Sequence, residues 1–179
     1  MVFCLTVAAV PRPAGGQSID ELTATPIAAA ELYLRSVRAI RWRAAAQFLA
    51  PATLDRFRTT VTLIADADTT GQIRAYLVQA DSTAAATLDD AEVFERSIGV
   101  VIDDMPGLMH ALYERDDEII GDVVESADSA HVVYRTTARL SGAVPEVKVM
   151  QLERGPEGWR VLWSDELEVL EAALRGVGR

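Results

Sequence analysis

Residues 130–140, with the sequence AHVVYRTTARL, decide the fold of this chain. Their apolar and polar side chains alternate with a period of two, which is typical of a strand that buries one face. Strand parity places Val132, Tyr134 and Thr136 on one face and Arg135 on the other. We expect the first face to pack against helices and the second face to meet water or a partner.

The same period extends along the C-terminal part of the chain. Short gaps rich in Gly, Ser, Asp and Pro separate the alternating segments, and gaps of this kind make hairpins. The acidic run Glu114–Glu118, which borders the first segment, is predicted to be a solvated loop because charge runs usually are. Four strands of an antiparallel meander are therefore predicted, at residues 118–125, 130–140, 145–153 and 158–165.

Helices are predicted ahead of this sheet. Thr25 can cap a helix and Pro26 fits the first helical position. Apolar residues then recur at the spacing of one helix face. The same reasoning predicts helices at 42–49, from Pro51, at 72–80, from Asp89 and over 108–113, and a closing helix at 166–174. The fold class is therefore α+β, with N-terminal helices packed on a C-terminal four-stranded antiparallel meander.

The N-terminus carries a short apolar segment, VFCLTVAAV at residues 2–10. It is too short to span a bilayer, which needs about 20 residues, and it matches the apolar part of a secretory signal. Ala14 and Gly16 supply the small residues expected before a cleavage at Gln17. We predict a signal peptide at 1–16, a single α+β domain at 17–179, and export to the periplasm or the medium. The alternative for this segment is a first strand or a frayed tail.

Charge and composition exclude several classes of partner and site. The 17 basic side chains face 27 acidic ones, for a net charge of −10. Nucleic acids and anionic membranes repel such a chain, and no basic run offsets this, since Lys148 is the only lysine. Cys4 is the only cysteine, so neither an intrachain disulfide nor a thiolate zinc site can form. No stable membrane span is expected.

A segment between two predicted helices imitates part of a calcium loop. The stretch Asp66–Ile73, DADTTGQI, has oxygen ligands at loop positions 1, 3 and 5 and glycine at position 6. Such a loop needs a bidentate glutamate at position 12, where this chain has Leu77. We therefore expect a polar interhelical turn here, and no metal site is predicted.

Three segments carry a resemblance to a known family. They are WRAA at 42–45, AHVVYR at 130–135 and GWRVLWS at 158–164. In these the chain resembles the nuclear-transport-factor-2-like superfamily, also called ketosteroid-isomerase-like. The resemblance implies a cone-like fold, in which long helices cross a strongly curved antiparallel sheet and leave a cavity. It covers roughly residues 26–50 and 117–165, whereas 51–116 is longer and more helical than the usual connection. The superfamily includes isomerases, dehydratases, cyclases, transport adaptors and uncharacterised exported proteins.

The candidate ligand contacts are large or titratable side chains near the predicted helix–sheet interface. Aromatic residues with a polar atom recur in ligand pockets, although they also recur in plain cores. Asp165 shares the parity of Trp163 and would lie at the rim of a cavity, or would belong to a helix cap. No nucleophile elbow, phosphate loop or dinucleotide fingerprint occurs, so we assign no catalytic residue and no cofactor. The candidates are Trp42, His110, Tyr134, Met150, Trp163 and Asp165.

Three functions remain open at this point. The first is an exported, non-catalytic domain that binds a small apolar ligand or a partner protein. The second is an isomerase or dehydratase that uses Asp165 or His110 on a hydrophobic substrate. The third is a structural module that forms a homodimer through the open face of the meander. A buried carboxylate or histidine with a shifted pKa, facing a cavity, would favour the enzyme. An apolar outer sheet face would favour the dimer.

Overall fold

The computed structural model of the protein describes residues 18–68, 71, 75 and 88–177. The predicted signal peptide lies outside these residues, and so does the predicted helix 72–80 apart from residue 75. The predictions made for those two segments therefore stay predictions.

The described chain is an α+β structure in which helices come first and a sheet follows. The sheet has four strands in the order β1-β2-β3-β4, and every neighbouring pair is antiparallel. The predicted α+β class and antiparallel meander are confirmed. The elements are α1 Ile19–Leu22, α2 Pro26–Arg38, α3 Trp42–Ala46, α4 Pro51–Ala67, α5 Asp90–Asp104, α6 Pro106–Tyr113, β1 Arg115–Val124, β2 Ser129–Ala138, β3 Glu146–Gly155, β4 Gly158–Trp163 and α7 Asp165–Gly176.

The helix starts follow the predicted chemistry. The Thr25 side chain accepts a hydrogen bond from the backbone N–H of Ala28, and Pro26 is the first helical residue. Asp89 caps α5 in the same way, by accepting from the N–H of Glu92. Each cap satisfies a backbone donor that the helix itself leaves without a partner.

The predicted orientation of the sheet is confirmed. Val132, Tyr134 and Thr136 of β2 are buried, whereas Arg135 and Arg139 are exposed. Helices cover the buried face, with α2 contacting β1, β2 and β4. We call this covered face the inner face and the opposite one the outer face.

Most of the core lies between the helices and the inner face. Tyr33 of α2, Phe94 of α5 and Met150 of β3 are fully buried in one apolar cluster. Phe57 of α4 meets Phe94 edge to face, with 5.0 Å between the ring centroids. A second cluster joins α4, α5 and α7 and contains Val61, Val93, Val100, Val101 and Leu174.

The prediction of a solvated loop at Glu114–Glu118 is wrong. Strand β1 begins at Arg115, so the charges of this run alternate between the two faces of the sheet. Asp116 and Glu118 are exposed, but the side chains of Arg115 and Asp117 are only 7% and 4% exposed. A charge run can therefore enter the interior when its inward members find partners there.

Several element ends also differ from the predictions; β2 ends at Ala138, for example, and two other ends have a cause in their contacts. The helix predicted at 42–49 ends at Ala46, because the chain then turns to pair with β4, where Ala50 N–H donates to Val161 O at 2.8 Å. Strand β4 ends at Trp163, and Ser164 caps α7 by accepting from Leu167 N–H. Asp165 is thus the first residue of α7 and neither ends a strand nor caps the helix.

No helix within the described residues is long and apolar enough to cross a membrane.

Candidate functional site

A buried carboxylate lies where α7 begins against the inner face of the sheet. The Ser164 cap sets the first turn of α7, and this turn places Glu166 over β2. The Tyr134 hydroxyl donates to this carboxylate and lies 2.9 and 2.8 Å from its two oxygens. Arg115 Nη1 lies 3.0 Å from Oε1, and the Glu166 side chain is fully buried. Glu166 is therefore tied to β1 and β2 by charge-assisted bonds, which are the stronger class.

The electrostatics of this group keep the carboxylate ionised. Burial raises the pKa of Glu166, but the charge of Arg115, the Tyr134 hydroxyl and Lys148 together hold that pKa below its ordinary value. Burial and the negative charge of Glu166 raise the pKa of Tyr134 far above its ordinary value. At neutral pH the pair is therefore a carboxylate and a protonated phenol.

Lys148 supplies the second cation of the site from β3. It is the cross-strand partner of Tyr134, and its Nζ lies 3.8 Å from Glu166 Oε1 and 3.8 Å from Asp165 Oδ2. These separations allow ion pairing but exceed hydrogen-bond distance. Asp165 is half exposed, so its pairing with Lys148 is screened by solvent.

Beside Glu166, several buried polar atoms have no hydrogen-bond partner among the described residues. Arg115 Nε lies 3.3 Å from Asp117 Oδ1, which is an ion pair that lacks hydrogen-bond geometry. Arg115 Nη2, both carboxylate oxygens of Asp117 and the hydroxyl of Thr136 are also buried without such a partner. Each unsatisfied group of this kind costs about 1–3 kcal/mol. We call these atoms of Arg115, Asp117 and Thr136 the unsatisfied set.

Two recesses flank the unsatisfied set. One recess, which we call the sheet recess, has a volume of about 160 Å³. The other, which we call the helix recess, has a volume of about 180 Å³. Because Arg115 lines the first and Asp117 the second, this ion pair separates the two recesses. The sheet recess is lined by Arg115, Thr136, Ala138, Val144, Glu146 and Lys148. The helix recess is lined by Glu31, Leu34, Arg35, Arg38, Asp117 and Ile119.

The structure brings two of the six predicted contacts to this site, namely Tyr134 and Asp165. Trp42 and Met150 lie in the apolar core. Trp163 is half-buried below Arg56, whose guanidinium carbon lies 4.1 Å from the ring centroid.

The sixth candidate, His110, lies away from this cluster on α6. Its side chain is 70% exposed and lies 3.2 Å from Glu114. None of these positions tests ligand contact directly, so the six assignments stay predictions.

Sequence reasoning missed Arg115, Asp117, Thr136, Lys148 and Glu166 as members of a site. The alternation of Arg115, Asp117 and Ile119 was the available signal, since it continues the inward parity of β1. The acidic neighbours Asp116 and Glu118 hid this alternation, because they gave the segment the composition of a solvated charge run.

The part of the chain that the structure describes holds no group of three or more His, Cys, Asp or Glu side chains arranged to bind a metal ion. Half of the Asp66–Ile73 stretch and the position of Leu77 lie outside that part, so its predicted lack of calcium binding stays a prediction.

Comparison with known proteins adds no relative to this geometry. No family model, no curated protein and no solved structure matches the chain.

Proposed function

We propose that this chain is an exported, non-catalytic domain of the nuclear-transport-factor-2-like kind that binds a small ligand at the Arg115–Asp117 pair, which lies between the two recesses. The unsatisfied set carries this proposal. Buried polar atoms are normally paired with protein or with ordered water. A ligand that formed hydrogen bonds with these buried atoms would recover the free energy that an unpaired polar group costs.

The position of the site supports the cone-like part of the proposal. Helices cover one face of an antiparallel sheet, and the recesses lie at the end of that face where Arg115 and Thr136 replace apolar residues. Ligand pockets favour such concave places, with a few polar groups placed among apolar ones.

The state of Glu166 supports a binding domain over an enzyme. A general acid that works at neutral pH needs a raised pKa, whereas the pKa of Glu166 is lowered and its oxygens are engaged by Tyr134 and Arg115. The two residues that the enzyme hypothesis named, Asp165 and His110, are exposed and lie beside Lys148 and Glu114 respectively.

The lining of the recesses also bears on the kind of ligand. The core between the helices and the inner face is filled by large side chains that include Tyr33, Phe94 and Met150, each fully buried. Charged side chains line both described recesses. These observations favour a polar ligand over the apolar one that the sequence predicted.

Native mass spectrometry of the protein purified from its own host tests this proposal. We expect wild-type protein, and the variant Thr137→Val, to retain a small molecule that the variant Thr136→Val loses. Thr137 is the matched control because it neighbours Thr136 but belongs to the outer face of β2. The same spectrum reports whether the leader is removed. Wild-type protein that carries no small molecule, or equal retention in both variants, would contradict the proposal.

One observation favours the dimer module as a second candidate. Val123, Val147 and Val149 are 58%, 63% and 47% exposed, and the cross-strand register places all three on the outer face. A sheet face of this kind can bury apolar area against a second copy. Sedimentation of wild type and Val147→Lys tests it, since a dimer through this face should dissociate in the variant at equal concentration.

A further inference from the structure

We infer that the ligand of this site is a small polar molecule without net charge, which donates a hydrogen bond to Asp117 and accepts one from Arg115. This inference rests on the proposed ligand-binding function and specifies its ligand class. It is carried by two side chains that are more than nine-tenths buried and keep polar atoms without a hydrogen-bond partner among the described residues.

The charges around the site already balance. Arg115 and Lys148 are the inward cations, and Asp117 and Glu166 are the inward anions. The other charged side chains of the site are exposed to solvent, which screens them; they are Glu31, Arg35, Arg38, Glu146 and Asp165. A ligand with a net charge would therefore bring an uncompensated charge into a poorly solvated place, and that is costly. A neutral ligand avoids this cost.

The hydrogen-bonding capacity of the unsatisfied set selects among neutral ligands. Arg115 Nη2 can only donate, the Asp117 carboxylate can only accept, and the Thr136 hydroxyl can do either. A pure acceptor such as an ether would leave Asp117 unsatisfied. A primary amide or a vicinal diol carries a donor and an acceptor on neighbouring atoms and serves both residues.

The size and surroundings of the site limit the rest of the molecule. The recesses, of about 180 and 160 Å³, are slightly larger than a cavity that holds benzene, about 150 Å³. Leu34 and Ile119 add apolar surface in the helix recess, and Ala138 and Val144 do so in the sheet recess. Because these polar atoms are covered, a ligand can reach them only if Arg115 or Asp117 moves as it binds.

Three probes of similar size but different charge test the ligand class. Propionamide is neutral, propionate is an anion and propylammonium is a cation. Each is titrated at pH 7 into the full chain, while NMR follows the Arg115 side-chain Nε–Hε signal and the Thr136 backbone amide. The Arg139 signal serves as the control, since its side chain lies on the outer face. We expect propionamide to shift Arg115 and Thr136 at concentrations about tenfold lower than either ion, a difference of roughly 1.4 kcal/mol.

The variant Asp117→Asn sharpens the test because it removes one inward anion. The site then carries one excess positive charge, and we expect propionate to overtake propionamide. Thr136→Val, which leaves the charges unchanged, should weaken propionamide binding without changing the order of the three probes.

The outcomes separate the ligand class from the proposed function. Stronger binding of either ion to the wild-type site would overturn the inferred class while leaving a ligand-binding site in place. An absence of any shift at Arg115 with all three probes would overturn the class as well. In that case the small molecule retained from the host decides the proposed function independently.

Discussion

The two ends of the inner sheet face differ in the chemistry of their side chains. At one end Val132, Met150, Leu152 and Val161 are fully or almost fully buried and meet apolar side chains of the helices. At the other end β1, β2 and β3 present Arg115, Asp117, Thr136 and Lys148, with Glu166 of α7 above them.

Stability alone accounts for the apolar end but not for the polar one. Well-packed apolar residues in place of a buried ion pair are often neutral or stabilising. A polar end with unsatisfied atoms is less stable than a well-packed apolar end would be. Proteins tend to keep such places at functional sites. This contrast is the reason for placing the proposed ligand site at the polar end.

The largest expected effect comes from removing the carboxylate that joins β1, β2 and α7. Glu166→Ala leaves Arg115 buried without its closest anion and leaves the Tyr134 hydroxyl without an acceptor. We expect a loss of about 3–5 kcal/mol in the free energy of unfolding, measured in urea. Glu168→Ala, an exposed glutamate two residues along the same helix, should leave the urea midpoint unchanged. Equal losses in the two variants would contradict the buried assignment of Glu166.

Truncation at the apolar end should have a comparable but chemically different effect. Met150 is fully buried opposite Val132, so Met150→Ala should cost about 2–5 kcal/mol through lost burial and a residual cavity. Ligand retention and the pH dependence of stability should not change. Val147→Ala provides the control on the outer face of the same strand, where the side chain is exposed.

The pH dependence of stability distinguishes the two ends further. The folded-state pKa of Glu166 lies below its unfolded value, so its contribution is present above the unfolded value and is lost as pH falls through the folded one. Wild-type protein should therefore lose stability on acidification below about pH 4 more steeply than Glu166→Gln. Other carboxylates titrate in both proteins, so the difference between the two curves isolates Glu166. Parallel curves would mean that Glu166 is not held ionised by its partners.

Most of the fold could be predicted because its signals are local. The alternation at 130–140 identified the buried face of β2, and the Thr25 and Asp89 helix starts carry their own capping chemistry. Each of these signals is complete within a few residues of the chain.

The site could be predicted only in part because it is assembled from distant segments. Tyr134 was recognised from its strand parity, but its partner Glu166 belongs to a helix that follows two strands later. A buried charge and a solvated charge have the same local sequence pattern. The fold shows that Arg115 and Asp117 point inward, whereas Asp116 points outward; the alternation in the sequence was compatible with this but did not require it.

A smaller effect is expected when only the hydroxyl above Glu166 is removed. Tyr134→Phe keeps the ring but takes one donor from the carboxylate, and a bond to a charged group is worth about 1.5–3 kcal/mol. NMR titration should also show a higher pKa for Glu166, because that hydroxyl helps to lower it. Tyr113→Phe is the control variant. It alters a half-buried tyrosine at the end of α6, and the pKa of Glu166 should stay the same. If the pKa of Glu166 were unchanged in Tyr134→Phe, the Tyr134 hydroxyl would not be a hydrogen-bond donor to this carboxylate.

The smallest effect on stability should come from the threonine of the unsatisfied set. The Thr136 hydroxyl is buried without a hydrogen-bond partner among the described residues, so Thr136→Val removes no bond. We expect the free energy of unfolding to stay constant or rise by up to about 1 kcal/mol, since an unsatisfied polar group is lost. Thr60 is the matched control, because it is equally buried but its hydroxyl lies 3.3 Å from Glu171 Oε1. Thr60→Val should therefore cost about 1 kcal/mol or more. If Thr136→Val were the more damaging change, its hydroxyl would already be satisfied in the free protein, and the reason for placing a ligand there would be gone.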